Sequence, residues 1–589
     1  MSRPFSSVSP TSACAQPGRW WVPRARRAAS AAAVLAALTT AVALTGCAVP
    51  PASSPITAAP ILLRVIAFND LHGNLESAAL TLPHPDPANP SQPLRVAVGG
   101  AAHQAGLLKA LRATAAHGVV VTSGDSIGGT PLISALFFHE STIDVLNRLG
   151  VDVAAPGNHE FDAGVAELQR LLGGGCRAAQ AGDPSVSCAL DPYAGAKFPH
   201  VAANILKADG SALFAPSWVR SYGGIRVGFI GATTRSTPSI VAPSGVAGLR
   251  FTDEAAAINA EAAWPQAQGV QALVAVIHES GNTGEPGNTM EWNDAGCANR
   301  RGAIFDIERR LSAAVDVVLS GHSHQGYRCV IGGRPVMQAV ALGCGVSVLD
   351  LLLDPKTGDV DRSRSLHRNL PGFNDTTLPA HRELITAQEP APYAAALRSV
   401  GRIGGSFSSA ANNGNMSAGR LIADAQWAAT RAPERGASQF ALMNSSGVRA
   451  GLACRGTPPC EVSFGDVFTM QPFGNSLVVM TLSGAELKAL LESQPRAGAL
   501  MPSSSIRWLW RASAALGQRV HDLRTQGRPV DPAGQVRFTV NSFMAEAGDG
   551  HTLLAQGRDR LGGDLDIDAL TRFLQTVPAP DPDPRYRVE

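Results

Sequence analysis

Between residues 61 and about 354, short β-branched or leucine-rich runs alternate with Ala/Leu-rich stretches of helical character. The runs fall at 61–67, 118–122, 225–230, 272–277 and 315–319, a rhythm that predicts an α/β region built on a buried sheet. Polar residues follow each run at once. Ligands of open α/β sheets gather outside the strand ends, so chemistry is to be sought among those polar residues. A charged, proline-containing stretch over about 354–392 breaks the rhythm, and a region rich in Gly, Ser and Asn begins near Gly401. There the pattern predicts strands at 440–443, 476–482 and 536–540 and helices at 418–431 and 484–491, a mixed or α+β arrangement.

Composition adds bounds rather than a partner. The 589 residues are 45% hydrophobic and 16% charged, enough apolar material for at least two globular domains. A formal charge of +2, from 49 Lys and Arg against 47 Asp and Glu, gives no strong field for recruiting a nucleic-acid polymer or an anionic membrane.

Ahead of residue 61 the order is basic and then apolar. Arg24-Ala25-Arg26-Arg27 precedes an Ala/Val/Leu run at 28–44, as in an export signal, and that run is short and Ala-rich for a membrane span. It closes on Leu44-Thr45-Gly46-Cys47, which resembles the lipobox where bacterial lipoproteins are cleaved and lipidated on the cysteine. The resemblance implies a signal peptide over 1–47 and a mature chain anchored to a bacterial membrane through Cys47, periplasmic or at the cell surface. A Pro/Ala/Ser-rich flexible tether, 48–60, follows.

Of nine cysteines, seven lie beyond Cys47. Export permits disulfides, and Cys176 with Cys188, Cys454 with Cys460, and Cys297 with Cys329 are reasonable pairs, although spacing alone does not fix connectivity. Cys344 would then be free. With no CxxC pair, the sequence offers no cysteine-bound zinc site.

The polar residues at the strand ends form a constellation. The first run ends in Asp70-Leu71-His72-Gly73. On an extended segment residues i and i+2 face the same side, so a carboxylate and an imidazole are expected to converge there, as a divalent ion requires. Later runs end in Ser123-Gly124-Asp125, Gly157-Asn158-His159-Glu160-Phe161-Asp162, Ile277-His278 and Gly321-His322-Ser323-His324. Five strand ends bearing Asp, Asn or His, interleaved with glycines, point to one shared polar centre.

These motifs, in this order, resemble those of the calcineurin-like metallophosphoesterases. The resemblance implies Asp70, His72 and His324 as ligands of one divalent ion, Asn158, His278 and His322 of a second, and Asp125 bridging both. His, Asp and Asn ligands suit manganese, zinc, iron or cobalt. Two such ions clamp a phosphoryl group and activate water for in-line attack. The resemblance further implies His159 as a catalytic donor to the phosphate or leaving oxygen, oriented by Asp162, and assigns no chemistry to Glu160.

The later region resembles the substrate-binding domain of the 5′-nucleotidase family through four segments. They are Ala418-Gly419-Arg420, Asn444-Ser445-Ser446-Gly447-Val448-Arg449, Gln471-Pro472-Phe473-Gly474-Asn475, and Asn541-Ser542-Phe543 continuing to Ala547-Gly548-Asp549-Gly550. The resemblance implies Phe473 and Phe543 as a base sandwich and Arg449 as a phosphate fork; the phosphate-binding arginines that some family members carry upstream are missing from 404–415 here, and Arg420 is the candidate to compensate. Asn444, Asn475 and Asp549 then contact ribose or base edges. Ser445, Ser446 and Ala547 stand where the family pattern has glycine, which reshapes the loops if those positions require positive φ.

Together the two resemblances imply a four-layer α/β/β/α metallophosphoesterase sandwich over 61–365, a linker over 366–395 and a smaller α+β substrate-binding domain over 396–578. The implied activity is nucleotide catabolism by an exported, metal-dependent 5′-nucleotidase. Alternatives are a 2′,3′-cyclic-nucleotide phosphodiesterase, a UDP-sugar hydrolase, and a nucleotide-binding surface lipoprotein without turnover.

Overall fold

The computed structural model describes residues 59–76, 80–84, 94–178, 185–189, 192–283, 291–293, 295–297, 299–372, 397–410, 416–494, 498–578, 580 and 587–588. The expected export signal, the lipobox-like stretch and most of the expected tether lie outside these residues. Among them, no helix is long and apolar enough to cross a membrane.

The first half is built on two sheets laid face to face. The five-stranded sheet runs Leu366–Pro371, Gly345–Leu353, Ile61–Phe68, His117–Thr122, Val153–Ala154. The six-stranded sheet runs Gly326–Ile331, Arg334–Ala339, Val317–Ser320, Ala272–His278, Ile225–Thr233, Ser217–Tyr222. Side-chain alternation divides each strand between two cores. Leu63, Val65, Ala67, Val119 and Val121 meet Val227, Phe229, Val274, Val276 and Leu319 between the sheets. The opposite sides, Ile66, Phe68 and Val120, pack under Leu108, Ile143 and Leu146 of the helices Ala101–Ala113 and Glu140–Leu149. Likewise Leu273, Ala275 and Ile277 pack under Ile258 of Glu254–Ala267 and Ile304 of Ala303–Arg310. Burial on both faces is why these strands read as unbroken apolar runs, each large side chain contributing about 1.5–3 kcal/mol. The result is the four-layer α/β/β/α order.

Arg64 is the one charge in the first run. It lies opposite Asp350 on the paired strand, and its Nε and Nη2 donate to that carboxylate at 2.6 and 2.9 Å.

The stretch read as a linker departs from expectation. Leu366–Pro371 pairs antiparallel with Gly345–Leu353 and forms the edge of the first sheet, because its backbone completes a ladder that the charged side chains obscure in the sequence. Residues 373–396 lie outside the described residues.

The second half centres on a five-stranded mixed sheet, ordered Leu500–Pro502, Phe440–Asn444, Gln535–Asn541, Ser476–Ser483, Arg558–Leu565. The helices Ser417–Thr430 and Gly484–Glu492 belong to separate apolar cores there, as do the strands expected from the sequence. Capping boxes set the starts of Phe464–Met470 at Ser463 with Asp466 and of Gly484–Glu492 at Ser483 with Glu486. The pairing continues past residue 578, since Arg587–Val588 runs parallel to Leu509 and Trp510.

Disulfides join Cys176 to Cys188, Cys297 to Cys329 and Cys454 to Cys460, and Cys344 is a buried free thiol. Burial pushes the Cys344 thiol up to about 12, which makes it unreactive at neutral pH. The two halves touch where Leu132, Leu136 and Phe137 of the first pack against Phe464 and Phe468 of the second.

Candidate active site

The metal-ligand candidates gather at the carboxyl ends of the parallel strands, as the topology requires. Beyond Phe68 and Thr122 the two segments stay paired, with Asp70 N donating to Gly124 O at 2.9 Å and His72 N to Asp125 O at 3.0 Å. Asp70 and His72 converge differently from the expectation of strand alternation. Both lie past the strand end with left-handed backbone, φ 50° and 46°, as do Asp125, His322 and His324 at 51°, 74° and 54°. Such φ values cost a non-glycine residue of order 1–2 kcal/mol each, and their clustering here marks a strained, over-determined site.

Three sets of potential ligand atoms each fall within 4.8 Å of one another: Asp70, His72 and His324; Asp125, His278 and His322; and His72, Asp125 and His159. The first two are the expected ligand sets, and Asn158 joins the second with Oδ1 3.2 Å from His278 Nε2. Asp125 Oδ2 is 3.0 Å from His278 Nε2 and 3.8 Å from His72 Nε2, so it stands between the two sets.

The donor chemistry fits divalent ions. His72 Nδ1 lies 2.7 Å from Gly128 O and His278 Nδ1 2.7 Å from Ser123 O. A carbonyl only accepts, so each Nδ1 carries the proton and each Nε2 is turned to the centre. His72 Nε2 is then 3.1 Å from His324 Nε2, a pair of ring nitrogens that a shared cation would reconcile. Asp70 receives His322 N on both oxygens, at 3.0 and 2.9 Å, and Asn69 Nδ2 at 2.6 Å.

Electrostatics follow from this crowding. Burial would raise Asp125, but His278, His159 and His72 outweigh it and hold the carboxyl well below its usual range. Burial would lower His278, but Asp125 and Asp70 carry it up to about 10. His72 is pushed well below its ordinary value by burial and then by the Arg449 charge. An imidazole held protonated beside buried carboxylates is a place where a metal ion can replace the proton.

Glu160 holds this geometry. Its carboxylate accepts from Asp125 N at 2.9 Å, Ser126 N at 2.8 Å and Gly157 N at 2.6 Å, tying two ligand loops together. Burial and the Asp125 charge push it up to about 7, against the backbone N–H groups that favour its ionised form. Gly157 leaves room for the approach: a Cβ there would stand under 3 Å from the Asp125 carboxylate. His159 N donates to Asp125 Oδ1 at 2.8 Å, and its Nδ1 lies 2.7 Å from Asp162 Oδ2. Burial works against its proton, but Asp162 and Asp125 outweigh that and raise the imidazole above its usual value.

One cleft of about 750 Å³ joins this centre to the second half of the chain. Asp125, Asn158, His159, Asp162, His322 and His324 line it from one side, and Asn444, Arg449, Phe473, Asn475, Phe543 and Asp549 from the other. Its size suits a small organic ligand. Phe473 stacks on His159 with centroids 5.9 Å apart and planes at 19°, and the Arg449 guanidinium lies 5.8 Å from the Phe473 ring. A Cβ at Gly129, on the Asp125 loop, would meet the Arg449 guanidinium at 3.2 Å. Burial lowers the Arg449 pKa while Asp125, Asp162 and Asp70 oppose the shift.

Arg420 is not in this cleft. It lies buried on the Ser417–Thr430 helix and lines a separate cavity with Ser417, Asp424 and Trp427, because the helical period sets 417, 420, 424 and 427 along one side. Asn444 to Arg449, by contrast, follows the end of the Phe440–Asn444 strand and opens directly on the centre.

Sequence reasoning missed Glu160 as a clamp, Asn69, Ser446, Asn541 and the wall formed by Ile240, Val241 and Ala242. Glu160 carried a readable signal, being an acid inside a glycine-flanked ligand motif. The Ile240 wall carried none, since only tertiary packing brings the end of the short helix Thr237–Ile240 to the cleft.

Comparison with known proteins agrees with this geometry. Residues 63–326 match the calcineurin-like phosphoesterase family, and residues 399–556 match the 5′-nucleotidase C-terminal domain. Endonuclease YhcR of Bacillus subtilis is 28% identical over 88% of this chain, which spans only 40% of that protein. A probable 5′-nucleotidase of Treponema pallidum is 26% identical over 87% of this chain and 91% of its own. The crystal structure of a 5′-nucleotidase precursor from Thermus thermophilus superposes with a TM-score of 0.70 at 26% identity, covering 90% of this chain and 99% of that one.

Proposed function

The chain belongs to the family that joins a calcineurin-like phosphoesterase domain to a 5′-nucleotidase C-terminal domain, a family of phosphoric-ester hydrolases, and we propose that it releases phosphate from nucleoside 5′-monophosphates. The observation that carries this reading is the shared cleft, in which a candidate dinuclear ligand set faces an arginine, two phenylalanines and five polar side chains.

Asp70, His72, Asp125, Asn158, His278, His322 and His324 would hold two divalent ions, manganese, zinc, iron or cobalt, which would supply positive charge to the phosphoryl group and acidify water. The remaining work belongs to side chains. Arg449 meets the phosphate oxygens as a planar donor fork. Phe473 and Phe543 hold the base, and their stacking tolerates different bases at about 1 kcal/mol per face. Asn444, Asn475 and Asp549 hold ribose or base edges. Asp162 keeps the His159 Nδ1 proton, so Nε2 is the nitrogen that donates to the phosphate or leaving oxygen. We place this activity outside the cytoplasm, on a lipoprotein anchored through Cys47, where it salvages nucleotides.

The test is hydrolysis by a soluble chain starting at Ala48, with manganese, zinc or a chelator, read as phosphate released from AMP and UMP and as nucleoside monophosphate formed from 2′,3′-cyclic AMP and UDP-glucose. Fastest metal-dependent release from the 5′-monophosphates is expected. A fastest reaction on the cyclic diester or the nucleotide sugar replaces this reading with that activity. Absence of turnover with metals bound leaves a binding protein.

A further inference from the structure

The four side chains Asn541, Asn444, Ser446 and Asp549 form one hydrogen-bond chain whose direction is fixed at its buried end. Asn541 caps the helix Ser542–Ala545, its Oδ1 accepting Met544 N at 2.8 Å. Its Nδ2 is therefore the donor, to Asn444 Oδ1 at 2.9 Å. Asn444 in turn donates from Nδ2 to Ser446 Oγ at 2.7 Å and to Asp549 Oδ2 at 2.8 Å. Having accepted from Asn444, Ser446 spends its one proton on Asp549 Oδ2. Asn541 and Asn444 are buried, whereas Ser446 and Asp549 are exposed on the wall of the cleft.

Asp549 needs this support. It sits on the short turn Gly548–Gly550 with φ 55°, two residues after Ala547 at φ 71°. Two donors converge on Oδ2, while Oδ1 takes no hydrogen bond from the described residues. A carboxylate pinned by one oxygen and open at the other is a fixed acceptor for hydroxyl donors, and it repels the phosphate end of a substrate. Ser446 itself has no left-handed φ, so a side chain there costs no backbone strain. The next position is different: a Cβ at Gly447 would stand 2.7 Å from Met443 Cε and 3.0 Å from Asn444 Oδ1.

We infer that Ser446 is a positioning residue that holds Asp549 as the acceptor for the vicinal hydroxyls of a ribose, giving the site a preference for ribonucleotides over deoxyribonucleotides. This rests on the nucleotidase reading and adds a specificity determinant at a position where the family pattern has glycine.

The test compares the wild type with Ser446→Ala and Ser446→Thr on AMP, 2′-deoxy-AMP, 3′-deoxy-AMP and IMP. Wild type is expected to favour AMP over one or both deoxy forms, and Ser446→Ala to reduce that ratio about fivefold to tenfold through KM, the scale of one hydrogen bond. Ser446→Thr, which keeps the hydroxyl, restores the ratio. Adenosine and 2′-deoxyadenosine as competitive inhibitors of p-nitrophenyl phosphate hydrolysis should show the same narrowing without nucleotide turnover. An equal loss on AMP and both deoxy forms, or a change in the AMP to IMP ratio instead, overturns the inference and leaves the nucleotidase reading standing. Turnover of p-nitrophenyl phosphate with no turnover of any nucleotide and no inhibition by either nucleoside overturns both.

Discussion

His159 and Asp162 lie on one tight turn with Nδ1 2.7 Å from Oδ2, and the Phe473 ring stacks on the same imidazole from the opposite half of the chain. The imidazole is thus oriented from one side and covered from another. Removing it as a proton donor, in His159→Asn, is expected to lower kcat on nucleotides about 10²-fold to 10⁴-fold. Asp162→Asn acts through the imidazole and should cost less, about tenfold. Leaving-group dependence separates this role from structural damage. With p-nitrophenyl phosphate, whose leaving oxygen departs without a proton, the His159→Asn loss should shrink to about tenfold or less. An equal loss on both substrates would assign His159 to phosphate binding alone.

Glu160 accepts three backbone N–H groups from the loops that carry Asp125 and Asn158. Glu160→Ala leaves those donors buried without partners, at about 1–3 kcal/mol each before relaxation. A fall in stability of about 3 kcal/mol and weaker metal uptake are expected, read by urea denaturation and by metal content after dialysis. Glu160→Gln should not rescue either property. One of its two terminal atoms becomes a donor, and every contact of the carboxylate is itself with a donor. Full metal content in the glutamine variant would show that shape rather than charge holds the loops.

Much of the centre was legible because ligand motifs are local: Asp70-Leu71-His72-Gly73, Gly157-Asn158-His159-Glu160 and Gly321-His322-Ser323-His324 each carry their chemistry and a turn glycine in a few residues. The strands were legible for the same reason, since burial on both faces leaves unbroken apolar runs such as 272–277. What failed depended on partners far away in the chain. Arg420 lies in a family-like motif, yet the side of the helix that meets the cleft is decided by how Ser417–Thr430 packs. Leu366–Pro371 has a charged, uneven pattern, and only the waiting edge of Gly345–Leu353 makes it a strand. Asp70 and His72 converge through left-handed turns rather than through strand alternation; Asp and His are enriched in that conformation, yet it stays uncommon for any residue with a Cβ, so identity alone does not announce it.

Ala547 gives a stability test of the loop departures. Its φ of 71° places a Cβ-bearing residue in the left-handed region where the family pattern has glycine, whereas Ser445 and Ser446 show no such φ. The strain is of order 1–2 kcal/mol, offset by the greater freedom glycine has in the unfolded chain. Ala547→Gly is therefore expected to stabilise the second half by about 0.5–1 kcal/mol, measured as a rise in its thermal midpoint. Ser445→Gly should move the midpoint the other way or not at all. A drop in the Ala547→Gly variant would mean that the methyl group makes packing contacts worth more than the strain.

His200 sets an acid limit on the first half. Its ring lies between Phe198 and Phe214, with centroids 5.4 and 6.2 Å away, and its Nδ1 is buried with no hydrogen-bond partner among the described residues. Burial alone lowers it to about 4. The sign follows from proton counting: as pH falls below the ordinary 6.5 the unfolded chain binds a proton that the folded chain refuses until about 4. Stability is thus complete above 6.5 and is lost progressively toward 4. The side chain keeps some solvent contact, so the loss is set at roughly 1–2 kcal/mol, below the full conversion of the shift. In His200→Phe the urea midpoint should fall less between pH 7 and pH 4.5 than in the wild type, by that amount. Equal falls in the two proteins would show that the folded state protonates His200 freely, and that its aromatic neighbours do not keep the imidazolium out.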